Sequence, residues 1–194
     1  MKMSARFRST LFLCLILACV SMGANAANFW TQLPSPSLGG PVQAVASQPG
    51  VDGTYLIATP VGIFRETAAD AQWQNVLEVI QPAAVAFAPS DNQIAYAVAG
   101  GFGIYKSSDG GSTWQIENNG VQNLDGLMSL AIDPSNPEVV YVVDVDSILK
   151  TTNGGSSWSQ VNNIALPGVI NAISVDQAIP MTVFAAVSDP TGGG

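Results

Sequence analysis

Short apolar runs alternate with polar, turn-forming clusters along most of this chain, and the alternation recurs. Apolar runs at 42–47, 84–88, 128–133 and 170–176 open each cycle. The first three are followed by Gln48-Pro49-Gly50, Pro89-Ser90-Asp91-Asn92 and Pro134-Ser135-Asn136-Pro137. Proline fixes φ, glycine frees it, and Asn or Asp hydrogen-bonds its own backbone, so such clusters bend the chain. Second runs at 54–58, 94–99, 139–144 and 182–187 each carry one aromatic. Third runs occupy 62–65, 103–106 and 147–150; a polar turn follows each, and a fourth strand is expected from the tryptophan beyond it. Outside the first 26 residues no segment repeats its apolar positions every 3.6 residues, so almost no helix is expected.

Two aromatic series set the period. Trp30, Trp73, Trp114 and Trp158 are spaced by 43, 41 and 44 residues, and Tyr55, Tyr96, Tyr141 and Phe184 by 41, 45 and 43. Four short antiparallel strands in a repeat of about 40–45 residues describe a β-propeller blade. A sandwich accounts for short strands, but not for two aromatic series running in parallel. The expected fold is all-β: a propeller of four-stranded blades near 41–76, 83–118 and 127–162, with a partial blade at 169–190 and an isolated strand at 29–33. Closed propellers take about four to eight blades. The count therefore predicts a truncated or incomplete propeller, either a piece of a longer one or an arc that self-associates or meets a partner through open blade edges.

The first 26 residues change the composition of what remains. Lys2, Arg6 and Arg8 precede an apolar run at 11–20, and Ala24-Asn25-Ala26 places a cleavage site before Ala27. This is the pattern of a secretory signal peptide, too short for a spanning helix. Ile16-Leu17-Ala18-Cys19 also loosely resembles a lipobox, with Cys19 as the residue to be lipidated, although Leu17 fits that pattern poorly. The mature chain, 27–194, is expected to be secreted or periplasmic. It holds no Cys and no His, which excludes disulfides and thiolate or imidazole zinc sites. Arg65, Lys106 and Lys150 face fourteen acids, a net charge of −11. So acidic a surface excludes nucleic acid and anionic lipid as partners. No Asn-x-Ser/Thr site occurs, which fits bacterial export.

Ser107-Ser108-Asp109-Gly110-Gly111-Ser112-Thr113-Trp114 resembles the Asp-box, S-x-D-x-G-x-[ST]-W. Thr151-Thr152-Asn153-Gly154-Gly155-Ser156-Ser157-Trp158 is similar, with Asn for Asp, and residues 66–73 keep only the spacing and the Trp. The resemblance covers nearly the whole mature chain. In such a box Asp109, or Asn153 as a neutral acceptor, takes turn amides, the glycines adopt positive φ, and the Trp packs on its own hairpin. Asp-box propellers include sialidases, xyloglucan-cleaving glycosidases, sortilin-type receptors and photosystem II assembly factors, and the fold does not decide among them. The resemblance implies three arginines for a sialidase, and the mature chain has Arg65 alone. A glycosidase needs two carboxylates about one sugar bond. Asp144 and Asp146 stand where other repeats have Ala or Gly, and read either as a solvated loop pair or as calcium or sugar contacts. Tyr105 matches Phe64 and Leu149 in their repeats, whereas Phe102, beside Gly100-Gly101 and Gly103, has no such repeat position and is a candidate ligand contact. No catalytic residue, cofactor or metal is expected. The function that follows is an exported, non-enzymatic binding or assembly module for a protein or glycan. The alternative is a glycoside hydrolase of the Asp-box type, or an inactive fragment of one.

Overall fold

β-Branched and small apolar residues, interrupted by turns of two to seven residues, leave antiparallel hairpins as the economical way to pair every backbone group. A computed structural model describes residues 40–70, 72–145, 147–161, 168–179 and 182–188. The expected signal at 1–26 with Cys19 and Ala26, the strand at Trp30, and Asp146 lie outside these residues.

The first sheet comprises β1 (Ala44–Ser47), β2 (Tyr55–Thr59), β3 (Gly62–Glu66) and β4 (Gln74–Leu77). The second comprises β5 (Pro82–Ala88), β6 (Asp91–Ala99), β7 (Gly103–Ser107) and β8 (Gln115–Ile116). The third comprises β9 (Leu127–Asp133), β10 (Asn136–Asp144), β11 (Ser147–Thr151) and β12 (Ser159–Gln160). β13 (Val169–Val175) and β14 (Val183–Ser188) pair as a two-stranded sheet. Every sheet is an antiparallel meander in chain order, and no helix occurs among the described residues. The fourth strands start one residue after each tryptophan rather than at it, and β8 and β12 are only two residues long.

The core lies between sheets. Side chains alternate across a strand, so β6 sends Ala95 and Ala97 into one seam and Tyr96 and Val98 into the next. Buried on both faces, the strand has to be apolar throughout its second half. Leu56, Ala58 and Ile63 meet Val85 and Phe87 in the first seam, with Trp114 against them. Tyr96, Val98 and Ile104 meet Leu130, Val142, Leu149 and Trp158 in the second. Tyr141, Val143 and Ile148 meet Ile170, Ile173 and Val175 in the third. Each large aliphatic buried in this way contributes on the order of 1.5–3 kcal/mol.

This layering gives each sheet two ends. One end carries the β1–β2 and β3–β4 turns and their counterparts. The other, the linker end, carries the β2–β3 type turns and the linkers from one sheet to the next. Hydrogen bonds knit turn to linker there: Gln81 N donates to Pro60 O (3.0 Å), Gly101 N to Leu124 O (2.7 Å) and Val145 N to Gly126 O (3.1 Å).

Candidate functional site

The Ser107–Trp114 turn is organised by one carboxylate. Asp109 Oδ1 accepts from Ser107 Oγ (2.8 Å), Ser112 N (3.0 Å) and Thr113 N (2.8 Å), and Oδ2 accepts from Thr113 Oγ1 (2.6 Å). Burial opposes the charge, but the donors at Thr113, Ser107 and Ser112 outweigh it and hold the acid below its ordinary range. Asn153 repeats the geometry without charge, accepting from Thr151 Oγ1 (2.8 Å) and Ser157 N (3.0 Å) and donating from Nδ2 to Ser157 Oγ (2.9 Å). Ser107 Oγ and Thr151 Oγ1 accept from Gly111 N (2.9 Å) and Gly155 N (3.0 Å). At Gly111, with φ of +84°, a Cβ would sit 2.9 Å from the Leu56 side chain of the preceding sheet, so the turn requires glycine for contact as well as conformation.

The tryptophans differ from expectation in their partner. Trp158 is buried in a cluster that joins Leu149 of its own hairpin to Tyr96, Val98 and Ile104 of the preceding sheet, and Nε1 donates across the seam to Glu117 O at 2.8 Å. Trp114 packs in the earlier seam, but its buried Nε1 has no partner. The physical reason is that a propagating stack leaves each hairpin's inner surface facing a neighbour. A single-repeat periodicity cannot report that contact. Other repeat positions also cross seams. Arg65 Nε donates to Gly110 O (2.9 Å) and Tyr96 Oη donates to Pro137 O (3.0 Å). Burial first, then the Glu138 and Glu117 carboxylates, push the Tyr96 hydroxyl well up, so it remains a donor. Lys106 sits 3.4 Å from Glu138 Oε1 and over the Tyr96 ring, and Lys150 lies over Tyr141 with Nζ 5.1 Å from the ring centre. These cross-strand pairs follow from register, Tyr96 opposite Lys106 and Tyr141 opposite Lys150.

Two further acids serve turns. Asp133 Oδ1 accepts from Ser135 N (2.8 Å), Ser135 Oγ (2.7 Å) and Asn136 N (3.2 Å). Asp176 Oδ1 accepts from Ala178 N (2.7 Å) and Ile179 N (2.9 Å). Both acids are held below their ordinary range. At Asp133 burial is outweighed by the Ser135 and Asn136 donors and Lys150, and at Asp176 the Ile179 and Ala178 amides act directly. Glu66 differs: it is buried at the end of β3, Oε2 has no partner, and burial raises its carboxyl.

The remaining candidates meet at the linker end. Phe102 is exposed at the tip of the β6–β7 turn, and Asn118 Nδ2 approaches its carbonyl at 3.4 Å. Asp144 ends β10, is buried, and accepts from Asn123 Nδ2 at 3.4 Å. Phe102 and Asp144 are thus joined through one linker, 123–126, which touches both turns. Val61, Ile80, Gln81 and Val145 also lie there and were not among the residues expected from the sequence. The available signal was an apolar residue in a turn position. No cluster of three or more His, Cys, Asp or Glu suited to a metal occurs among the described residues, and no helix there is long and apolar enough to cross a membrane.

No protein-family model matches the chain. A xyloglucanase from Hypocrea jecorina (strain QM6a) is 28% identical over an alignment 215 positions long, covering 93% of this chain and 26% of that protein. The chain therefore spans about a quarter of the length of this curated relative. The crystal structure of an ancestral GH74 enzyme matches with a TM-score of 0.64 at 21% identity, over 82% of this chain and 23% of that one. The GH74 xyloglucanase from Xanthomonas campestris gives 0.62 at 20% identity, over 78% and 28%. YCF48 from Cyanidioschyzon merolae gives 0.59 at 14% identity, over 83% and 60%. The sheets are propeller blades. Among the described residues they form an arc of three four-stranded blades and a two-stranded one, all-β as the repeat predicted.

Proposed function

We propose that this chain belongs to an exported Asp-box propeller that engages a xyloglucan-type polysaccharide, and that these blades supply its scaffold and binding loops. The observation carrying this reading is the xyloglucanase relative, whose similarity runs over 93% of this chain. The amide-capped Asp109 and its neutral counterpart Asn153 support the Asp-box part of it, and the leader at 1–26 supports export. Chemistry is a separate question. A glycosidic general acid has to be protonated at working pH, whereas Asp109, Asp133 and Asp176 are held ionised by turn amides. These three acids serve turns; polysaccharide binding is the reading proposed, with hydrolysis as the alternative that the xyloglucanase relative supports.

Native electrophoresis through xyloglucan-containing gels tests the reading. Retardation relative to a xyloglucan-free gel is expected. Unchanged mobility, together with no release of reducing ends from xyloglucan, would sink it. Release of reducing ends abolished by Asp144→Asn would instead promote the chain to a hydrolase and place that carboxylate in the reaction.

A further inference from the structure

The linker end of the arc gathers half of the ten exposed large apolar side chains among the described residues. Val61, Ile80, Phe102 and Val145 lie on its turns and linkers and Val169 opens β13 there, each between 40% and 59% exposed. Their positions are tied together by backbone hydrogen bonds running from blade to blade: Gln81 N to Pro60 O, Gly101 N to Leu124 O, Val145 N to Gly126 O and Ile170 N to Val145 O. One apolar side chain per turn is ordinary. A row of them on a single face, rimmed by polar residues, marks an interaction surface.

Backbone strain falls on the same face. Among the described residues only Gln81 (φ 50°) and Val145 (φ 32°) are non-glycine residues with positive φ. Val145 is β-branched and occupies the first position of a two-residue hairpin turn, where glycine, asparagine or aspartate is the unstrained choice. Strain held at an exposed apolar tip costs stability and is a reason to look for function there.

Charge and side-chain shape choose the partner. Arg65, Lys106 and Lys150 are the only cations after residue 8, and all three are engaged between or within blades, with Gly110, Glu138 and Tyr141. The linker end presents the exposed acids Glu78 and Asp125 and no cation among its described residues. Four of its five apolar side chains are branched aliphatics, which offer methyl groups rather than the flat rings on which sugars stack. We propose that this end docks an extended polypeptide segment in which apolar and basic residues alternate. The apolar side chains would seat on Val61, Ile80, Phe102 and Val145, and the cations beside Glu78 and Asp125. This end also carries Phe102 and Asp144, so the peptide is a second ligand beside the proposed polysaccharide, and competition between the two tells them apart.

Fluorescence anisotropy with a labelled peptide alternating leucine and lysine, against a serine–lysine peptide of equal charge, tests this on the full chain. The leucine–lysine peptide is expected to bind at least about tenfold more tightly. That preference should vanish in Val61→Ser/Phe102→Ser and persist in Val51→Ser/Ile179→Ser, which alters exposed aliphatics at the opposite end. Val145→Gly relieves the turn, so it should fold at least as well and still bind the peptide several-fold more weakly. Equal binding of both peptides would reduce the effect to net charge and overturn the proposal. So would a preference that survives in Val61→Ser/Phe102→Ser, or displacement of the peptide by xyloglucan oligosaccharides, which would give this face to a glycan.

Discussion

Glu66 stands at the position that Ser107 and Thr151 hold in the later repeats, and it does the opposite of what they do. Those hydroxyls accept a turn amide, whereas Glu66 is buried with Oε2 unpartnered. Its neighbour Thr67 has taken over the turn, accepting from Asp70 N through Oγ1 (3.3 Å) and donating from that hydroxyl to Asp70 Oδ2 (3.0 Å). Burial lifts the Glu66 carboxyl above its ordinary value of 4.5. A folded-state pKa above the unfolded one gives stability that is present at low pH and lost as pH rises through the folded pKa. Glu66→Gln should therefore melt higher than the native chain at pH 7, and the difference should close as pH falls below 4.5. Thermal melts across that range check it; a constant offset would mean that the charge is irrelevant. The degenerate repeat at 66–73 was visible in the sequence, but the burial of its carboxylate was not. The motif gives a residue's place in the turn and says nothing about what covers it.

At the scale of elements, the strand pattern was largely legible. Short apolar runs bounded by Pro, Asn and Gly are enforced by local sterics and hydrogen bonding, so they can be read without a neighbour. The seam contacts were not legible, because they join residues about one repeat apart. Trp158 and Trp114 make the distinction measurable. Trp158→Phe loses the 2.8 Å bond to Glu117 O and leaves space in a buried seam, so it should cost about 2–3 kcal/mol. Trp114→Phe discards an indole N–H that already lacks a partner and should cost less, about 1 kcal/mol. Urea midpoints for the two variants should separate accordingly, and equal losses would show that the seam bond adds nothing. Val145 was also illegible: a valine in a hairpin reads as strand until the register shows that it occupies the turn.

At the scale of the molecule, the seams bury the middle two members of one aromatic ruler and expose its last. Tyr96 and Tyr141 are buried under the following blade, while Phe184, at the equivalent position on β14, is 59% exposed. Among the described residues no strand covers this face or pairs with the outer edge of β14, and an exposed aromatic beside such an edge leads us to expect self-association. Sedimentation velocity should show a mass that grows with protein concentration, and Phe184→Asp should hold it at the monomer value. Concentration-independent sedimentation of the native chain would remove the open face as a cause of assembly.

The seams have a consequence for descent. In the first two seams a side chain from one blade meets a main-chain oxygen in the next, Arg65 to Gly110 and Tyr96 to Pro137, and a tryptophan packs into the seam. A blade copied in tandem would arrive with both halves of its junctions already compatible with its new neighbours, and a blade deleted would leave two compatible surfaces behind. Recombination between repeats could therefore lengthen or shorten such a protein without inventing a new interface. The turns and linkers at one end would remain free to diverge independently, blade by blade.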